Sequence, residues 1–265
     1  MKKQLSVFIA IIILLTGVST LTAREKEGRS KIQIALLLDT SSSMDGLIDQ
    51  ARSQLWKIIN ELAVTHKNGR TPVLEVALFE YGKSSIPYEE GYLRMVTSFI
   101  SDLDKISAEL YSLTTNGGDE YCGMVIESAV KNLRWENDDS SLKLIFIAGN
   151  EPFDQGAVNY KTSVRLAKSK GIIVNTIFCG DGKTGIHSHW KDGADIAGGN
   201  YISIDQNMRV LHIEAPQDAE ITQLGIELNN TYLAYGTAGK GKKAEQKKQD
   251  SNAMNKSKEI GRAHV

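Results

Sequence analysis

The stretch that decides the fold is Lys31-Ile-Gln-Ile-Ala-Leu-Leu-Leu-Asp39-Thr-Ser-Ser-Ser-Met44. Up to Leu38 it is a nearly continuous apolar run, the pattern of a strand covered on both faces rather than one with a wet side. The run stops at a carboxylate and a turn of hydroxyl side chains. Leu47, Ile48, Ala51, Leu55, Ile58, Ile59 and Leu62 then recur at helical spacing. A buried strand, a polar turn and an amphipathic helix form the opening unit of an alternating α/β domain.

The same alternation continues outward. Val73–Phe79 reads as a strand, Gly91–Val96 as a short edge strand, and Asp102–Leu113 as a helix. A helix from about Tyr121 to Leu133 is followed by the apolar strand Leu142–Ala148. Next come a helix from about Gln155 to Ser169, the strand Ile172–Phe178, a short helix around Trp190–Ile196, the strand Tyr201–Ile204 and a last helix from about Asp218 to Leu233. This order predicts a three-layer α/β sandwich, a mostly parallel central sheet with helices on both faces. Ligands of such sheets bind beyond the carboxyl ends of the strands, where the loops starting at Asp39, Thr114, Gly149 and Gly180 gather.

The chain has 265 residues, 41% apolar and 24% charged, enough for a substantial core. Its formal charge of −1 is unevenly spread: the stretch from Lys240 onward holds eight Lys/Arg against three Asp/Glu, and Lys2 and Lys3 add two more positives, leaving about −8 on residues 24–239. An acidic body argues against broad nucleic-acid binding, which needs a positive face, and suits a divalent cation or a basic partner. Lys2 and Lys3 precede an apolar run, Leu5–Val18, and then small and hydroxyl residues. That order is expected of a secretory signal over residues 1–23, with an uncleaved membrane anchor as the alternative. The expected protein is therefore exported, periplasmic or extracellular, and touches a membrane only through that segment. Residues 31–235 are read as the folded domain and 236–265 as a basic tail too poor in apolar side chains to fold alone. Ile260–Val265 match the translation of a common sequencing adapter, so the natural chain is expected to continue differently there.

Asp39, Ser41 and Ser43 place one carboxylate and two hydroxyls on a tight turn after a buried strand. These hard oxygen donors suit Mg²⁺, with Mn²⁺ or Ca²⁺ as substitutes. The same residue types also cap helices. Here the chain resembles the von Willebrand factor A domain family, whose metal-ion-dependent adhesion site opens with Asp-x-Ser-x-Ser at this point of the fold. The resemblance spans Lys31 to Leu233. It implies that Ser41 and Ser43 ligate the metal directly and Asp39 acts through water. Two further loops depart from the family pattern. The second, Thr114-Thr115-Asn116-Gly117-Gly118-Asp119-Glu120, carries Asp119 where a Thr is usual. The third, Ile147-Ala148-Gly149-Asn150-Glu151-Pro152, carries Gly149 where an Asp is usual. The expected metal set is thus Asp39, Ser41, Ser43 and Asp119, with Thr115 and Asn150 as additional loop residues. The alternative is a metal-free site in which Asp119 caps the following helix.

The resemblance implies protein–protein interaction or adhesion with an unidentified protein partner. A metal-free scaffold binding through its helical faces is the second reading. A hydrolase or phosphotransfer enzyme built on Asp39 is a remote third, since the chain has no Gly-x-Ser-x-Gly elbow, no His-Glu-x-x-His and no phosphate-binding Gly-Lys loop. No catalytic residue is assigned. Cys122 and Cys179, an even pair in an exported chain, are expected either to bridge or to be two buried thiols. His187 and His189 are read as loop histidines, and Asn229-Asn230-Thr231 as a glycosylation sequon in letters only.

Overall fold

The computed structural model describes residues 30–65, 71–138 and 140–204, together with 223, 227, 231, 233 and 235–244. Six strands form one sheet: β1 (Lys31–Asp39), β2 (Val73–Tyr81), β3 (Leu93–Ile100), β4 (Leu142–Gly149), β5 (Ile172–Cys179) and β6 (Tyr201–Ile204). Their spatial order is β3-β2-β1-β4-β5-β6, with only β3 antiparallel to its neighbour. The three-layer α/β architecture read from the sequence is the one observed.

β1 lies between β2 and β4, which is why its apolar run has no polar phase. Its side chains alternate between two cores. Ala35 and Leu37 join Ala77, Phe79, Ile145 and Ile147 beneath α3 (Cys122–Asn132), α4 (Tyr160–Ser169) and α6 (Trp190–Ala197). Ile34, Leu36 and Leu38 face the other way, toward α1 (Ile48–Ala63) and α2 (Leu103–Ser112). Every β1 side chain from Ile34 to Leu38 is fully buried, so a truncation such as Leu36→Ala costs about 2–5 kcal/mol. The chain turns from β2 on one side of β1 to β4 on the other. The carboxyl ends of β1 and β4 therefore flank the switch point of the sheet, where such folds open a crevice.

Some boundaries differ from the sequence reading for local reasons. α4 starts at Tyr160 rather than near Gln155, because Gly156 is left-handed at φ 87° and Asn159 caps the helix by accepting from the Lys161 N–H at 2.8 Å. β3 starts at Leu93, after a left-handed turn at Gly91 and Tyr92. The six-residue helix α5 (Gly182–His187), capped by Asp181, was not expected. Of the basic tail, residues 236–244 are helical and Lys242 donates to Asp102. The rest of the tail, the N-terminal signal or anchor and most of the helix expected at Asp218–Leu233 lie outside the described residues. Among the described residues no helix is long and apolar enough to cross a membrane.

Candidate metal site at the switch point

The loop after β1 folds back on its own carboxylate. Asp39 is fully buried, and its Oδ1 accepts the Ser41 N–H at 2.8 Å. Its second oxygen, Oδ2, is buried without any hydrogen-bond partner. The Ser41 and Ser43 hydroxyls lie 2.8 Å apart, so this turn brings the expected donors together. Ser43 also reaches the third loop: its Oγ donates to Asn150 Oδ1 at 2.9 Å, and Asn150 Nδ2 donates back to the Ser43 carbonyl at 3.0 Å. Asn150, singled out from the sequence, thereby ties the first loop to the third.

The second loop is pinned at four points, one of them the Ser84 N–H donating to the Gly117 carbonyl. The Asn116 N–H donates to the Thr40 carbonyl at 2.8 Å, Thr115 Oγ1 donates to Asp45, and Ser84 Oγ donates to Asn116 Oδ1 at 2.7 Å. Arg52 of α1, buried under this loop, donates to the Leu113 carbonyl at its start and pairs with Asp49 at 3.0 Å. At the rim, buried Glu80 is held by Lys83 at 3.3 Å and by Arg94.

The carboxylate that this loop turns inward is Glu120. Asp119 is exposed and its Oδ2 accepts from the Tyr121 hydroxyl at 3.1 Å. It does not cap α3 either, whose first turn has no side-chain cap. Glu120, by contrast, is buried beside Asp39 and Ser41: a Cβ added to Gly82 would lie 2.7 Å from Asp39 Oδ1, 3.0 Å from Glu120 Cγ and 3.3 Å from Ser41 Cβ. Gly82 is itself left-handed at φ 76°, so only glycine lets the backbone close over these groups.

Burial pushes the Asp39 carboxyl up to about 7 against the pull of its Ser41 hydrogen bonds, and the charges of Glu120 and Glu151 push it further. Burial likewise raises Glu120 to about 7, opposed by a hydrogen bond from Ser41 and reinforced by Glu151. Two desolvated carboxylates side by side call for a proton or a cation. Around them stand the Ser41 and Ser43 hydroxyls and the Asn150 amide, and among the described residues no imidazole joins them in a metal-holding group. Among the described residues no three His, Cys, Asp or Glu side chains converge into a ready-made cage, so a cation here would depend on hydroxyls and water beside the two carboxylates. The unpartnered Asp39 Oδ2 and the hard oxygen set fit a divalent cation of the Mg²⁺ type.

A model of the von Willebrand factor type A domain matches residues 33–191, more than half of the chain. The chain belongs to that family. Among solved structures, BatB from Bacteroides thetaiotaomicron superposes on the domain with a TM-score of 0.51 at 14% identity, covering 66% of this chain and 90% of that one. Proximal thread matrix protein 1 from the mussel byssus, solved with zinc in its MIDAS motif, gives 0.52 at 14% identity over 68% of this chain and 43% of that one. At this identity the likeness establishes the von Willebrand factor A fold alone. No curated protein sequence is significantly similar to the chain.

In the third loop of this von Willebrand factor A domain, Gly149 packs onto the site. A Cβ there would lie 2.6 Å from the Tyr81 hydroxyl and 3.0 Å from Asp39 Oδ2. Tyr81 fills the space, donating to the Ala148 carbonyl at 3.0 Å and lying 3.7 Å from Cys122 Sγ. Of the two expectations for Cys122 and Cys179, the structure has the buried thiols and not the bridge: both are free and buried. The reason is strand parity, since Cys122 packs in the core under α3, α4 and α6 while Cys179 packs in the core on the opposite side of the sheet. His187 and His189 do not form a joint site. His187 Nδ1 pairs with the Lys183 carbonyl, and His189 stacks on Tyr160.

Proposed function

We propose that this domain is a non-enzymatic protein-interaction module of an exported protein, and that its variant adhesion site holds a divalent cation, Mg²⁺ or Mn²⁺. The observation that carries the cation is the buried Asp39 carboxylate, whose Oδ2 has no partner and whose Oδ1 lies on the side of a second buried carboxylate, Glu120. Asp39, Ser41, Ser43 and Glu120 are the donor set this arrangement supports, with Glu120 taking the part the sequence pattern gave to Asp119. Asn150 orients Ser43, and Thr115 and Arg52 fix the second loop from behind. The cation supplies charge neutralisation, relieving the repulsion between Asp39 and Glu120 and locking three loops together. Two carboxylates already balance a divalent ion, so the site is a weak electrophile toward a further acidic group, unlike one built on hydroxyls alone. Export rests on the Lys2-Lys3 and Leu5–Val18 pattern.

A metal-free reading is favoured by one observation. With both carboxyls raised to about 7, a proton shared near neutral pH also relieves the repulsion, and the domain then binds through its helical faces. Calorimetric titration of Mg²⁺ and Mn²⁺ into the full chain at pH 8, beside Asp39→Ala, separates the two. Saturable heat lost in the variant supports the cation, and no heat with either ion supports the proton.

A further inference from the structure

Beside the rim of this site stands a ladder of three tyrosines, Tyr88 exposed and Tyr92 and Tyr121 half-buried. Tyr88 and Tyr92 meet edge to face with ring centroids 6.0 Å apart, and Tyr92 and Tyr121 follow at 5.7 Å. Tyr88 is 63% exposed, which is unusual for so large a ring. The middle ring is held at a conformational cost. Tyr92 is left-handed at φ 54°, a region bulky side chains avoid, and follows Gly91 at φ 69°. The turn packs against Met124: a Cβ on Gly91 would lie 1.9 Å from its Sδ. The third ring is fixed as tightly. A Cβ on Gly156 would lie 2.6 Å from Tyr121 Cδ1, and the Tyr121 hydroxyl donates to Asp119 at 3.1 Å. Asp119 is exposed at the Tyr121 end of the ladder, and Glu89 and Glu90, also exposed, follow Tyr88 in the chain.

We propose that the Tyr88–Tyr92–Tyr121 ladder, ending on Asp119, is a docking surface for an arginine- or lysine-bearing segment of a partner protein. Tyrosine faces attract cations, and a carboxylate at the end of the stack accepts the guanidinium N–H groups. Arginine fits better than lysine, since its planar group both stacks and pairs. The negative body of the domain, about −8 over residues 24–239, steers a basic segment toward it. The strained Tyr92 and the packed glycines present the rings preorganised, which lowers the cost of binding. This surface lies outside the Asp39–Glu120 pair, so it works with or without a cation there.

The test is binding of fluorescently labelled Ac-(Gly-Arg)4-amide to the full chain, in EDTA and in Mg²⁺, beside (Gly-Lys)4 and (Gly-Gln)4 peptides. The arginine peptide binds most tightly, the glutamine peptide at least about tenfold more weakly, and EDTA changes neither. Tyr88→Ser and Asp119→Asn each weaken the arginine peptide about five- to tenfold; Tyr88 is exposed, so its change spares the fold. Five results overturn the proposal: no binding of the arginine peptide, equal binding of the glutamine peptide, full binding by Tyr88→Ser, tighter binding in the tail variant Lys247→Gln/Lys248→Gln, or binding abolished by EDTA. The last leaves the cation reading standing while removing this one. Tighter binding in Lys247→Gln/Lys248→Gln would assign the surface to the chain's own tail, and overturns the partner assignment.

Discussion

Gly149 and Tyr81 share one space: a Cβ on Gly149 would lie 2.6 Å from the Tyr81 hydroxyl, so the hydroxyl occupies the place into which a third-loop side chain would grow. The family's usual aspartate is therefore excluded here by packing as well as by sequence. The second buried carboxylate beside Asp39 comes from the second loop, as Glu120.

Gly149→Asp consequently does not rebuild the family's site. It overpacks Tyr81 and adds a third buried negative charge beside Asp39 and Glu120, and is expected to destabilise the domain by at least about 2 kcal/mol in urea unfolding. Tyr81→Phe/Gly149→Asp recovers part of that loss by removing the obstructing oxygen. A Gly149→Asp protein as stable as the wild type would contradict the packing account.

Stability in EDTA should fall as pH rises from about 5 to about 8. The folded carboxyls of Asp39 and Glu120 stand near 7, above their unfolded values near 4, so the folded state holds more protons than the unfolded state across that interval. Their favourable contribution is present below the unfolded values and lost as pH climbs through about 7. The wild type should lose about 2–4 kcal/mol relative to Asp39→Asn between those limits, read from paired urea curves. A difference that stays flat with pH would mean that the two groups are ionised throughout.

Both cysteines should be inert. Burial raises the thiols of Cys122 and Cys179, the latter to about 12, so neither forms thiolate at neutral pH. Ellman's reagent should report no thiol in the native protein and two after denaturation, and reductant should leave the melting temperature unchanged. A mass loss of two hydrogens restored by reductant would show a bridge instead.

Arg52→Met should loosen the second loop without emptying the core. It removes the donor to the Leu113 carbonyl while keeping apolar volume under the loop, and is expected to cost about 1–3 kcal/mol. Amide exchange should quicken at 114–120 more than in β1. Unchanged exchange in that loop would free Arg52 of the bracing role.

The fold was legible because its physical causes are local. A strand flanked on both sides, as β1 is by β2 and β4, must be apolar in both phases, and the α1 spacing through Ala51, Leu55 and Ile59 marks its buried face directly. The first site loop was legible for the same reason, since Asp39, Ser41 and Ser43 sit within one turn. Glu120 was not. Adjacent residues of an extended loop point opposite ways, and which of Asp119 and Glu120 turns inward is set by distant packing: a Cβ on Gly118 would lie 2.6 Å from the Gly82 carbonyl. The choice between a disulfide and two buried thiols did carry a readable signal. Counting β5 by alternation puts Cys179 with Ile177, on the face away from α3, where Cys122 lies.

The most direct test of the cation site is Mn²⁺ titration of the full chain at pH 8, by calorimetry or electron paramagnetic resonance, in wild type, Asp119→Asn and Glu120→Gln. The account predicts one saturable site in wild type, retained in Asp119→Asn and weakened at least about tenfold in Glu120→Gln. Loss in Asp119→Asn with full binding in Glu120→Gln, or no binding in the wild type, would contradict it.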